Sequence, residues 1–217
     1  MIDIHSHVLP GVDDGAKNLA ESINMLQQAA NLGITKLYAT PHAKKRIDWV
    51  QMNAVYLQTS AEARKCGIEL MLGSELLYDL LLKLNADELY HYCYRQTLTL
   101  LLEFHSQIVP PRWEYTLSAL RDTGYRVIIA HPERYRFIQE NIELVTTFRR
   151  YGALLQLDAE SLMGKPWDRT YRTAHTILKQ GFADFVSSDA HNMDMYQQYA
   201  LTYKKFSKYW PKERDVY

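Results

Sequence analysis

Five glycines constrain the fold of this chain more than any other feature. Gly33, Gly67, Gly124, Gly152 and Gly181 each stand just before a short apolar run, and each follows a stretch with helical apolar spacing. Glycine supplies the left-handed residue that closes a helix. Helices that end immediately before strands, again and again, are the pattern of a parallel sheet. Seven strand signals follow in order: Ile2–His5, Lys36–Thr40, Ile68–Leu72, Thr97–Leu102, Arg126–Ala130, Ala153–Leu157 and Phe185–Ser187. Helical spacing covers Leu19–Leu32, Val50–Lys65, Trp113–Asp122, Asn141–Tyr151, Arg169–Gln180 and Tyr196–Tyr209. Leu76–Tyr94 fits neither period and reads as a short helix or a hairpin insertion. Seven closed units make a (β/α) barrel one unit short of the usual eight. A doubly wound open sheet is the alternative, although no Gly-rich phosphate loop follows the first strand. No linker, repeat or low-complexity segment interrupts the pattern, so one domain is expected over residues 1–217.

The ends of these strands carry the chemistry. The first delivers His5 and His7, and residues i and i+2 of a strand face the same side. A Pro-Gly turn then brings back Asp13 and Asp14. Later strands close on His42, Glu75, Glu103, His131 and the Asp189/His191 pair. In a parallel barrel all strand C-termini open on one face. Five histidines and four carboxylates (His5, His7, Asp14, His42, Glu75, Glu103, His131, Asp189, His191) therefore converge on one rim, the signature of a metal site. Core packing or solvated turns account for one or two such residues, not for six of seven strand ends. Asp13 is assigned to the turn or to contact with a ligand. His91, His105 and His175 fall away from strand ends and read as surface or supporting residues. Asp158 closes the sixth strand, as a partner of a ligand or as the start of a helix.

Composition excludes several functions. A hydrophobic fraction of 47% and a charged fraction of 23% describe a globular protein, and the formal net charge of zero argues against a nucleic-acid partner. No apolar run has membrane-spanning length, and Met1-Ile-Asp-Ile lacks the basic start of a signal peptide, so no membrane insertion is expected. Two cysteines, Cys66 and Cys93, make no disulfide framework and fit a reducing cytoplasm. Neither begins a Cys-x5-Arg loop, which excludes cysteine-based phosphate chemistry.

His5-x-His7, Asp14, Thr40-Pro-His42, Glu75, Glu103, Ala130-His-Pro-Glu-Arg134 and Ser188-Asp-Ala-His191 together resemble the polymerase-and-histidinol-phosphatase (PHP) superfamily. The opening MIDIHSHVLPGVDDGA, with AHPERY and SDAHN, is similar to its bacterial manganese-dependent protein tyrosine phosphatases of the CpsB and YwqE type, which accompany capsule and exopolysaccharide operons. The resemblance spans about residues 1–191. It implies a distorted (β/α)7 barrel with three divalent metal ions. By that resemblance His5, His7, Glu75 and Asp189 hold one ion. Glu75 bridges to a second held by Glu103 and His131, while Asp14, His42 and His191 hold the third. An all nitrogen-and-oxygen donor set suits Mn²⁺, Fe or Zn²⁺.

The expected activity is hydrolysis of phosphotyrosine, on the tyrosine-rich tail of a bacterial tyrosine kinase, by direct attack of a metal-bridging hydroxide. His42 belongs to that catalytic centre, and Arg134 is placed to clamp the phosphate, unless it only pairs with Glu133 or Asp158. The family often carries a second arginine five residues after the last histidine, where this chain has Tyr196. Lys44, Lys45 or Arg46 beside His42 could take its place. Two other readings remain: a histidinol-phosphatase-type enzyme for small phosphomonoesters, and a non-catalytic, metal-stabilised partner of the kinase. An amidohydrolase also begins with His-x-His, but has a bridging lysine where Glu103 stands.

Overall fold

In the computed structural model, which describes residues 1–212 and 215–217, all five glycines have positive φ, between 71° and 92°. Each turns the chain from a helix into the next strand. The helix Leu19–Asn31 begins at Asn18, whose side chain accepts from the Glu21 amide, and it buries Met25, Leu26 and Ala29. Helices Trp49–Lys65, Trp113–Asp122, Glu143–Arg150 and Arg169–Lys179 recur in the same manner.

The strands are β1 (Ile2–Ser6), β2 (Lys36–Ala39), β3 (His42–Ala43), β4 (Glu69–Leu72), β5 (Glu75–Leu77), β6 (Thr99–Glu103), β7 (Arg126–Ala130), β8 (Leu154–Asp158) and β9 (Phe185–Ser187). They form two sheets, β1-β2-β4 and β3-β5-β6-β7-β8-β9, and every pairing is parallel. Nine strands replace the seven expected because two are interrupted. Pro41 has no N–H to give to a ladder, and pairing stops between Ala39 and His42. The register survives the break: Ala39 faces Leu72, and His42 faces Glu75. So β2 with β3, and β4 with β5, each follow one bent path.

The first and last strands also meet. Ser6 and Ala190 form a parallel bridge, Asp189 N donates to His5 O at 3.0 Å, and His7 N donates to Ala190 O at 2.9 Å. Ile4, Tyr38, Tyr94, Leu101, Ile128, Ala130, Phe185 and Val216 form one buried cluster, drawn from β1, β2, β6, β7 and β9, with Tyr94 and Val216 added from outside the strands. A larger cluster lies between strands and helices and includes Leu26, Leu37, Leu102, Ile129, Leu155 and Ile177.

Three expected elements change. Leu76–Tyr94 resolves into the end of β5 and two short helices, Tyr78–Leu81 and Ala86–Tyr90. The second is set by an Asn85–Glu88 capping box. The helix expected over Asn141–Tyr151 is found as Glu143–Arg150, and an unexpected short helix, Arg136–Glu140, precedes it. The last helix runs Met193–Phe206, starting earlier than expected because Asn192 accepts from the amides of Asp194 and Met195. Among the described residues, no helix is long and apolar enough to cross a membrane.

Candidate metal centre

β1 ends by placing His5 and His7, both fully buried, on one side of the strand. Their Nε2 atoms are 3.2 Å apart. Glu75 Oε2 lies 3.4 Å and 3.5 Å from them, and Asp189 Oδ1 lies 3.3 Å and 3.1 Å away. An ion with bonds of about 2.0–2.2 Å holds neighbouring ligand atoms about 3.0–3.5 Å apart, so this spacing matches a shared cation. Gly15 makes the turn behind His7 possible, since a Cβ there would lie 2.0 Å from the His7 carbonyl oxygen.

Glu75 is the hub. Its Oε1 is 2.7 Å from His131 Nε2, and its Oε2 is 2.7 Å from His42 Nδ1. Glu103 Oε2 lies 3.9 Å from the same His42 nitrogen. On the other edge of that ring, His42 Nε2 is 3.3 Å from Asp14 Oδ1, which is also 3.4 Å from His191 Nε2. The His7 and His191 rings stack at 4.0 Å. Three groups thus have ligand atoms mutually within 4.8 Å: His7, Asp14, His42 and His191; His5, His7 and Glu75; His42, Glu75 and Glu103. All nine residues singled out in the sequence come together. His42 differs from expectation in facing two groups, one with each nitrogen.

The donor set fits divalent cations. Among the described residues, His42 Nδ1, Glu75 Oε2, Glu103 Oε2, His131 Nδ1 and Asp189 Oδ1 are buried without a hydrogen bond. The close approach of His42 Nδ1 to Glu75 Oε2 is therefore not aligned as one. Buried polar atoms rarely go unpaired, and all of these but His131 Nδ1 lie among the clustered donors. The electrostatics agree. Burial opposes charge on Glu75, yet His5, His131 and His42 hold its carboxyl well below the usual range. Burial likewise opposes protonation of His131, but Glu75 and Asp158 push its pKa up to about 10. A pocket that draws protons onto buried imidazoles draws metal cations by the same field. His131 and Asp189 also adopt positive φ, 32° and 49°. Strain of that kind at a strand end accompanies functional sites.

The candidate ligands are themselves held. His7 Nδ1 is 2.7 Å from Asp13 Oδ2, which also accepts from His42 N at 3.1 Å. His5 Nδ1 is 3.1 Å from Gln156 Oε1, which accepts from His131 N at 3.3 Å. Such bonds fix each ring so that Nε2 faces the cluster. Gln156 and the buried Asp3, which accepts from Ser188 N, were missed in the sequence. The available signal was a polar residue inside an otherwise apolar strand, as in Leu154-Leu-Gln-Leu157.

Arg134 follows His131 in a short turn. Its Nε is 2.7 Å from Asp158 Oδ2, its Nη1 is 3.1 Å from Asp189 Oδ2, and its side chain stays 36% exposed. Asp158 makes no capping bond to the helix that follows it; Arg134 and Gln156 Nε2 engage it instead. Glu133 is buried beside them, and burial next to Asp158 pushes its carboxyl up to about 7. Tyr196 is fully buried, with its hydroxyl 2.6 Å from Ser6 Oγ. It packs in the core and cannot stand in for an arginine at the rim. Arg46 is engaged by Glu88, at 2.8 Å and 3.1 Å, whereas the charge of Lys44 acts on Glu103. His91 and His105 are exposed, and His175 lies against Tyr171 and Phe206.

A family model described as capsular polysaccharide synthesis, CpsB/CapC, matches residues 1–208. The chain belongs to the CpsB/CapC family. Among CpsB/CapC relatives, the putative tyrosine-protein phosphatase CapC of Staphylococcus aureus is 34% identical over 200 residues, covering 89% of this chain and 78% of CapC. A solved structure from work on YwqE of Bacillus subtilis and CpsB of Streptococcus pneumoniae, described as unique metal-dependent tyrosine phosphatases, superposes with a TM-score of 0.80. It is 30% identical and covers 95% of this chain and 87% of its own. A lactonase from Listeria monocytogenes shares the fold alone, with a TM-score of 0.52 at 14% identity, over 93% of this chain and 82% of its own.

Proposed function

We propose that this CpsB/CapC chain is a metal-dependent protein tyrosine phosphatase acting on the tyrosine-rich tail of a bacterial tyrosine kinase in capsule synthesis. The observation that carries the reading is the cluster of nine nitrogen and oxygen donors around Glu75, with five buried atoms unpaired. Relatives named as tyrosine phosphatases supply the reaction class. Three ions are the stoichiometry we infer, with Mn²⁺ foremost and Fe or Zn²⁺ compatible with a donor set that lacks thiolate. His5, His7, Glu75 and Asp189 hold one, Glu75, Glu103 and His131 a second, and Asp14, His42 and His191 the third. Such ions acidify water and neutralise phosphoryl oxygens in the transition state.

The chain's own residues do the rest. Four carboxylates facing three divalent ions leave a formal surplus of positive charge, which selects a phosphate dianion. Arg134 holds Asp158 and Asp189 through Nε and Nη1, and its Nη2, only 3.8 Å from the exposed Glu160, is the nitrogen that turns to the phosphate. Lys44, beside Glu103, supplies the second cationic contact in place of the missing arginine. Tyrosinate leaves with a pKa near 10, so little general acid is required. No thiol is among the clustered donors, and burial pushes Cys93 up to about 12.

A single domain whose seven strand paths close into a distorted (β/α)7 barrel is the architecture we infer. The Ser6–Ala190 bridge and the inner cluster around Ile4 and Ile128 support it. Two free cysteines support a cytoplasmic setting. The test is hydrolysis of a phosphotyrosine peptide and of histidinol phosphate, each with Mn²⁺ and with chelator. The expected result is metal-dependent turnover of the peptide. Chelator-resistant turnover, or turnover of histidinol phosphate alone, overturns the reading.

A further inference from the structure

A hollow of about 370 Å³ shares the His42 wall of the metal centre. It lies between the turn after β1, at Gly11 and Val12, and the segment Lys45–Asp48 with the first turn of the helix Trp49–Lys65. None of the nine donors except His42 lines it. A hollow of that size accommodates an amino-acid side chain with space to spare.

The charges around the hollow are unequally used. Asp48 Oδ1 accepts from the amides of Val50 and Gln51 at 3.0 Å and 3.2 Å. Arg46 is neutralised by Glu88, in contact through both Nε and an Nη. Lys45 is exposed and, among the described residues, forms no ion pair. Val12, Ile47 and Met52 give the same hollow apolar lining. An apolar lining with one uncommitted cation fits a side chain with a methylene stem and a carboxylate head.

We propose that this hollow is a subsite for the residue beside the phosphotyrosine, and that it takes an acidic side chain. The inference rests on the phosphatase reading above and names its substrate class: phosphotyrosine flanked by aspartate or glutamate. The flanking carboxylate meets Lys45, its stem lies on Ile47 and Met52, and the chain thereby carries the phosphotyrosine past His42 to the centre.

Two phosphotyrosine peptides that differ only in glutamate or lysine flanks, with para-nitrophenyl phosphate alongside, provide the test in the Mn²⁺-loaded protein. The glutamate peptide should show the lower KM, by about fivefold, an effect on the scale of exposed ion pairs. That advantage should shrink as salt is raised. Lys45→Glu should reverse the preference while kcat/KM for para-nitrophenyl phosphate, which has no flanking residue, stays within about twofold. Equal KM values for both peptides, or the same preference in Lys45→Glu, overturn the proposal. Should para-nitrophenyl phosphate itself go unhydrolysed, the phosphatase reading falls separately. Fluorescence anisotropy of the same labelled peptides still decides the subsite: tighter binding of the glutamate form, lost in Lys45→Glu, supports it, and equal binding overturns it.

Discussion

Gln156 Oε1 lies 3.1 Å from Nδ1 of His5, so the amide of an interior strand residue decides which nitrogen of a buried imidazole faces the donor cluster. The same oxygen accepts from the backbone of His131 at 3.3 Å, tying two of the clustered histidines, from β1 and the end of β7, to one side chain in β8. Gln156→Leu keeps the volume and removes the acceptor. Metal affinity should fall by about 10–100-fold, the usual cost of losing an outer partner. Titration calorimetry with Mn²⁺ reads this directly, and unchanged affinity would reduce Gln156 to strand packing.

Glu75 stands between imidazoles from three strand paths, with His131 and His42 each at 2.7 Å. Glu75→Gln removes the charge that all of them share. Mn²⁺ bound per chain should drop, and turnover should fall by more than the roughly 100-fold expected for an outer partner. Full occupancy with normal turnover would remove Glu75 as the hub. Chelation of the parent protein should give the same loss and be reversed by added Mn²⁺.

Much of this was legible because a parallel strand can end in only one place. His5, His42, Glu75, Glu103, His131 and Asp189 announce themselves as polar residues closing apolar runs, and strands that all pair in parallel bring those ends together. What orients the ligands was harder to read. Asp13 and Asp14 are adjacent and chemically alike, and only folding sends one behind His7 and the other out to His42 and His191. Gln156 reads as a polar interruption of a buried strand until His5 arrives from more than a hundred residues away. Asp158 has a helix-start sequence, but Arg134 takes its carboxylate, and a charged partner outweighs a capping bond.

Asp3 gives the metal-free protein a pH dependence. Burial pushes its carboxyl up to about 6, partly offset by hydrogen bonds from Ser188. The folded state therefore holds its proton more tightly than the unfolded chain does. Stability from this group is fully present below about pH 4 and is lost as pH rises through about 6, by an amount on the order of 3 kcal/mol. Asp3→Asn keeps an acceptor for the Ser188 amide and should flatten the melting temperature between pH 4 and 6. An unchanged slope in the variant would assign the dependence elsewhere.

The two cysteines should be dispensable. Cys93 is buried, with a thiol pushed up to about 12, and Cys66 is half-buried on the helix-to-strand turn before β4. A thiol raised that far offers no thiolate near neutral pH, and neither cysteine is among the clustered donors. Cys66→Ser and Cys93→Ser should each keep kcat on a phosphotyrosine peptide within about twofold, and no covalent phosphoenzyme should be trapped on rapid acid quench. Loss of turnover in both variants, with the fold intact by circular dichroism, would sink the non-covalent route.

Arg134 separates holding the site from holding the substrate. Its Nε is 2.7 Å from a fully buried Asp158, and its Nη1 reaches Asp189, so removal leaves two carboxylates short of a partner. A lysine can satisfy one of them as a point charge but cannot span both and still face the phosphate. Arg134→Lys should therefore keep the fold and bound metal, while kcat/KM on the peptide falls by about tenfold. The inhibition constant for inorganic phosphate should rise in parallel, because the same edge meets product and substrate. If Arg134→Lys lost metal but kept phosphate affinity, Arg134 would be a prop for Asp189 alone. Unchanged kinetics in both Arg134→Lys and Arg134→Ala would remove it from the site.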